Sequence, residues 1–124
     1  MIRVGTDNKT YITKYLIGDI VRISGRGHTY PSFDEATQAL NVPNNKLDKC
    51  FRDNELKMQN WLITNVIISL YRGYTRILYA IKNRHNKYLI IGEEGIVETR
   101  QTTSTMHLSR YIEKNIEPII VIRN

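Results

Sequence analysis

Two stretches of this 124-residue chain carry side chains able to do binding chemistry. Between Arg72 and Tyr88 stand Arg72, Tyr74, Arg76, Tyr79, Lys82, Arg84, His85, Lys87 and Tyr88. Guanidinium and ammonium groups neutralise phosphates, and phenol rings offer faces on which bases stack. Alternate residues of a strand share a face, so Arg76 and Lys82 are expected along one track. The plainer alternative is a solvated hairpin in which Tyr79 belongs to the core. The second stretch, Ser24 to Tyr30, displays Arg26, His28 and Tyr30 on a loop. This loop runs into the start of a helix, where free amides can hold an anion. Asp34 and Glu35 already supply negative charge there, so Gly25 and Gly27 serving only to turn the chain is the alternative.

The charge distribution favours the first stretch. Eighteen basic and 12 acidic residues leave a net charge of +6. From Leu56 to Gly92 there are six basic residues (Lys57, Arg72, Arg76, Lys82, Arg84, Lys87) and no acid, while the rest of the chain balances 12 against 12. The whole excess lies in one third of the sequence. Concentrated charge attracts polyanions better than the same charge spread evenly.

Catalytic patterns are missing. His28, His85 and His107 fall in separate segments without metal-ligand spacing, and the single cysteine, Cys50, rules out a zinc ribbon. A lone cysteine is more often a small core residue than a nucleophile. Glu93 and Glu94 are neighbours and read as a turn rather than a carboxylate pair. Gly92 and Gly95 lack the lysine and hydroxyl residue of a phosphate loop. A non-enzymatic protein that needs no cofactor is expected.

The elements that position these residues are mostly strands. Isoleucine occurs 18 times and alanine three times, which favours strands over helices. Met1 to Lys14 reads as an arm or one short edge strand, and Tyr15 to Ser24 as the first firm strand. Ser32 and Glu35 form a capping box for a helix from Ser32 to Leu40, which Asn41 and Pro43 end. Asn44 to Asn60 reads as a surface loop with a helical turn near Leu47 to Phe51. Trp61 to Leu70 is apolar enough to be buried on both faces, with Trp61 in the core and Asn65 as a bulge. Thr75 to Lys82 alternates, Asn83 to Asn86 turns, and Lys87 to Ile91 returns. Gly92 to Gly95 turns again into Ile96 to Thr99. Short strands joined by tight turns suit a small barrel that closes its own edges.

Arg100 to Thr105 reads as flexible, Met106 to Lys114 as a short helix, and Glu117 to Arg123 as a strand. That strand either completes this chain's sheet or pairs with a second copy through Ile119 to Ile122, giving a homodimer. One cysteine, no apolar run after the first charges and no membrane-length apolar stretch point to a protein of a reducing compartment, off the membrane.

Two segments also carry a likeness to a known family. IGDIVRISGRGHTYPSFDEA and ILYAIKNRHNKYLIIGEEGI resemble a small SH3-like barrel module of large DNA phage and virus proteins. Gly18, Asp19, Val21, Arg22 and Ile23 carry the first match. Tyr88, Leu89, Ile90, Gly92, Glu93, Glu94, Gly95 and Ile96 carry the second. The likeness spans residues 15–98, and Met58-Gln59-Asn60-Trp61 stands where the module has a glycine-rich turn. It implies a mainly β protein, an SH3-like barrel over residues 1–99 with one inserted helix. Residues 100–124 have no counterpart in the module and are expected to form a helix-plus-strand extension packing on the barrel or on a second subunit. The likeness further implies an accessory protein of the host cytoplasm or the virion. The expected ligand is nucleic acid or a phosphate-bearing nucleotide, held by Arg26, His28, Tyr30, Arg72, Tyr74, Arg76, Lys82, Arg84 and Lys87. The alternative is a protein-interaction module, either a virion component or an inhibitor of a host factor.

Overall fold

The computed structural model describes residues 2–4, 10–40, 51–52, 54–71, 73–100 and 119–123. Among these residues ten strands and two α-helices follow one another: β1 (Ile2–Val4), β2 (Thr10–Ile12), β3 (Ile20–Ile23), β4 (Arg26–Gly27), α1 (Phe33–Ala39), β5 (Phe51–Arg52), α2 (Asn54–Met58), β6 (Trp61–Tyr71), β7 (Tyr74–Lys82), β8 (Tyr88–Gly92), β9 (Ile96–Arg100) and β10 (Ile119–Arg123). The main sheet runs β8-β7-β6-β3-β9, with β10 as a sixth strand on β6. Its ladders are antiparallel except β10 on β6, which is parallel. The protein is mainly β, as its composition implies.

The expected closure of the sheet is corrected. Among the described residues β8 and β9 share no ladder, and they stand at opposite ends of the strand order. A single 3-10 turn, Glu93–Gly95, nevertheless joins them directly. The sheet therefore curls until its two ends lie one turn apart, yet it remains open.

β6 is the axis of the fold. One of its edges pairs with β7 from Leu62 to Tyr71. The other edge is divided: Trp61 and Leu62 pair with β3, while Ile67 to Tyr71 pair with β10. Trp61, Ile63, Val66 and Ile68 all enter the main core with Val21, Ile23, Tyr79, Ile81 and Leu89. Strict alternation cannot put Ile63 and Val66 on one face. A bulge resolves this, because the register against β7 slips between Ile63 and Asn65 and leaves Thr64 as the extra residue. Thr64 Oγ1 donates to the Ala80 carbonyl at 3.2 Å, which anchors the slip. The bulge falls one residue before Asn65, where the sequence placed it. Ile67, Leu78 and Ala80 face the other way and are covered by Phe33 and Leu40 of the α1 segment and by Ile90. Trp61 is fully buried, and its indole Nε1 donates to the Leu56 carbonyl at 3.1 Å.

Several expectations change around this axis. The first core strand begins at Ile20, not Tyr15. Before it the chain turns: Asp19 N donates to the Leu16 carbonyl at 3.1 Å, its carboxylate accepts from Leu16 N at 3.0 Å, and Gly18 takes φ 96°. The N-terminal arm is a two-stranded ribbon, β1 with β2. The stretch read as a surface loop contains β5 and α2, and Leu56 of α2 reaches the main core. Ser32 does cap α1, its Oγ accepting from Glu35 N at 3.2 Å. The C-terminal strand pairs within its own chain, and Ile120 packs against the main core. Cys50, His107, most of the turn near Leu47 and the helix read over Met106 to Lys114 lie outside the described residues.

Two changes at Thr64 separate the hydroxyl from the bulge. Thr64→Ala keeps the residue count and is expected to cost about 1 kcal/mol. Deleting Thr64 removes the surplus residue and leaves Trp61, Ile63, Val66 and Ile68 on one face by strict alternation, so unfolding is expected to stay cooperative, within about 1–2 kcal/mol of the parent. Urea titration followed by Trp61 fluorescence reads both changes; loss of cooperative unfolding on deletion would refute the reading of Thr64 as the surplus residue.

Candidate functional site

The side chains singled out in the sequence divide between the two ends of β7. Tyr74 and Arg76 lie at the end joined to β6, and both are exposed. Lys82 closes the other end, followed by Arg84 and Lys87 in the β7–β8 turn. Lys82 stands six positions after Arg76, about 20 Å along the strand. They share a face, but Leu78 and Ala80 lie between them under the α1 segment. The single track is thus interrupted. Arg76 is also neutralised, because its Nη2 forms an ion pair with Glu94 Oε1 in the 3-10 turn. The Glu94 carboxyl is held below the usual carboxylate range, first by its own backbone amide and then by Arg76. Arg72 lies outside the described residues.

The Lys82 end is more coherent. Tyr30 and Tyr88 form an isolated antiparallel bridge, each amide donating to the other's carbonyl at 2.8 Å. This bridge brings the loop that follows β4 to the β7–β8 hairpin. Tyr88 in turn pairs with Lys82, and Lys82 with Leu62. Tyr30, Tyr88 and Lys82 therefore form one row across neighbouring strands, on the face that α1 also covers. The His28 ring meets Tyr30 edge-on at 4.6 Å, and Phe33 meets Tyr88 edge-on at 6.2 Å. Two chain segments far apart in sequence thus supply one aromatic and basic surface. Arg26 stands in β4, where its backbone pairs with Arg52.

Turn geometry holds the cations in place. Asn83 Oδ1 accepts from His85 N at 3.0 Å and from Lys87 N at 2.9 Å. Asn86 takes φ 58°, in the left-handed region that asparagine tolerates. Arg84 Nε donates to His85 Nε2 at 3.2 Å. Lys82 and Lys87 have no carboxylate ion-pair partner among the described residues, in contrast to Arg76. Asp34 and Glu35 are the acids that follow Phe33, and they sit exposed in the first turn of α1.

Sequence reasoning missed one feature of this end. An open cleft of about 580 Å³ lies between the α2–β6 connection and the β7–β8 turn, lined by Met58, Gln59, Asn60, Arg84 and His85. Asn83 Nδ2 donates to Gln59 Oε1 at 2.8 Å and ties the two walls together.

The remaining buried polar cluster is structural. Tyr79, fully buried, accepts at its hydroxyl from Lys14 N and Tyr15 N at 3.2 and 3.3 Å and donates to Glu93 Oε2 at 3.2 Å. Burial, with the Glu93 charge adding to it, pushes this phenol well above its ordinary range. It stays a neutral donor that fastens the lead-in to β3 onto the 3-10 turn. Tyr79 is core, as the plainer reading of the hairpin had it. Among the described residues no three His, Cys, Asp or Glu side chains gather where they could hold a metal ion. No protein-family model, curated protein or solved structure matches this chain.

The Tyr30–Tyr88 bridge depends on a close approach at Gly27. A Cβ there would stand 2.5 Å from Leu89 Cδ1, and Leu89 is fully buried. Gly27→Val is expected to cost about 1–3 kcal/mol and to lift the loop from β8. Hydrogen exchange of the Tyr30 and Tyr88 amides reads this directly; unchanged protection would show that the bridge does not need the glycine.

Proposed function

We propose that this chain is a non-enzymatic binding module for phosphate-bearing polyanions, working through the end of the sheet formed by Lys82, Arg84, Lys87, His28, Tyr30 and Tyr88. The observation that carries this reading is the Tyr30–Tyr88 bridge. It joins the two segments singled out in the sequence into one surface whose lysines have no carboxylate ion pair among the described residues. The distal residues Tyr74 and Arg76 drop out of the site, because Arg76 already has Glu94. Phosphates would be neutralised by the three cations, with the aromatic row supplying contact area beside them.

The scaffold proposed for this site is an open SH3-like barrel. Two features support it: the strand order β8-β7-β6-β3-β9, and the 3-10 turn that joins its two end strands. The phage- or virus-type accessory role rests on the sequence resemblance, and with it a place in the host cytoplasm or the virion. The protein-interaction alternative drew on an unpaired C-terminal strand. In this chain β10 gives one edge to β6, so the polyanion reading is preferred.

Binding of a fluorescent single-stranded oligonucleotide tests the proposal. Three neutralised phosphates predict a slope of log affinity against log salt near −2, so roughly twentyfold weaker binding between about 50 and about 200 mM salt. Lys82→Glu with Lys87→Glu should remove most of the affinity, whereas Arg76→Glu should change it less than about threefold. A salt-independent affinity, or a larger loss from Arg76→Glu, would defeat the reading.

A further inference from the structure

The cleft beside the β7–β8 turn carries chemistry that phosphate binding alone does not use. It is lined by a thioether, two primary amides, a guanidinium and an imidazole. Small-ligand sites typically enclose about 300–1,000 Å³, and its 580 Å³ falls within that range. Met58 is 70% exposed, which is unusual for so apolar a side chain, and it presents polarizable surface to the cleft. Gln59 Oε1 is occupied by Asn83 Nδ2, so its own NH2 group remains as an oriented donor. Asn60 is exposed, and its amide offers both donor and acceptor. Arg84 is held side-on by His85 through Nε, which leaves its terminal nitrogens to meet an anion.

A bare phosphate would engage Arg84 and leave Met58 and both amides without purpose. A planar heterocycle joined to a phosphate would use all of them. Its ring lies on the thioether, its polar edge meets the amides as bases meet asparagine and glutamine elsewhere, and its phosphate reaches the guanidinium. A stacked duplex cannot offer a base in this way. We propose that the cleft takes one unstacked nucleobase together with its adjoining phosphate, from a single strand whose next phosphates run to Lys82 and Lys87. This inference rests on the polyanion reading above and adds the base to it.

Three probes on the full chain test the proposal: a single-stranded adenine decamer, 5′-AMP and inorganic tripolyphosphate. The side-chain amide resonances of Gln59 and Asn60 should shift with the decamer and with 5′-AMP but not with tripolyphosphate. Asn60→Ala and Met58→Ala, both at exposed positions, should weaken decamer binding roughly tenfold and leave tripolyphosphate binding unchanged. If 5′-AMP bound as tightly as the decamer, the base pocket would stand and its source would be a free nucleotide. If decamer and tripolyphosphate bound alike and neither variant altered either, the base pocket would be overturned while the polyanion reading survived. If none of the three bound, both would fall.

Discussion

The structure depends on β6 being buried on both faces while pairing along both edges. A strand in that position can be satisfied only if its side chains sort correctly between two apolar clusters. The bulge at Thr64 makes the sorting possible. By taking Thr64 out of the alternation it lets Trp61 and Ile63 share a core with Val66 and Ile68, and sends Ile67 to the opposite side, where α1 waits with Leu78 and Ala80. The ladder with β7 then sets the position of every residue in the β7–β8 hairpin. The register that fills the core is thus the register that presents Lys82, Arg84 and Lys87.

The same geometry explains why the charge excess is not one patch. β7 is long enough to carry its ends to different parts of the surface, and the helix lies across its middle. At one end the 3-10 turn brings Glu94 onto Arg76. At the other, the Tyr30–Tyr88 bridge brings in aromatic rings instead of a carboxylate. Two groups of cations close together in sequence therefore meet different neighbours. Among the described residues, only the group at the Lys82 end lacks a carboxylate ion pair.

Much of the ladder was legible in the sequence, since it rests on local alternation and turn chemistry. The β7–β8 hairpin, the Ser32 cap, the buried Trp61 and the two-faced burial of β6 all follow from residues close together in the chain. What escaped depends on distant partners. The Arg76–Glu94 pair requires knowing that a turn 18 residues on folds back beside β7. The Tyr30–Tyr88 bridge joins segments with two helices and three strands between them among the described residues. Helix α2 has five residues and little intrinsic signal, and it stands because Leu56 is drawn into the core and its carbonyl receives the Trp61 indole. The cleft beside it could not be foreseen without that helix.

The parallel seating of β10 on β6 has a consequence for synthesis. About 50 residues separate the two strands, so at ordinary elongation rates roughly 3 to 10 s pass before β10 leaves the ribosome. During that interval the Ile67–Tyr71 edge of a strand already zipped to β7 lacks β10, its one partner on that side among the described residues. Bare, apolar edges of this kind recruit other chains. The nascent protein therefore passes through a sticky stage that ends when β10 docks, and chaperone demand should be concentrated there.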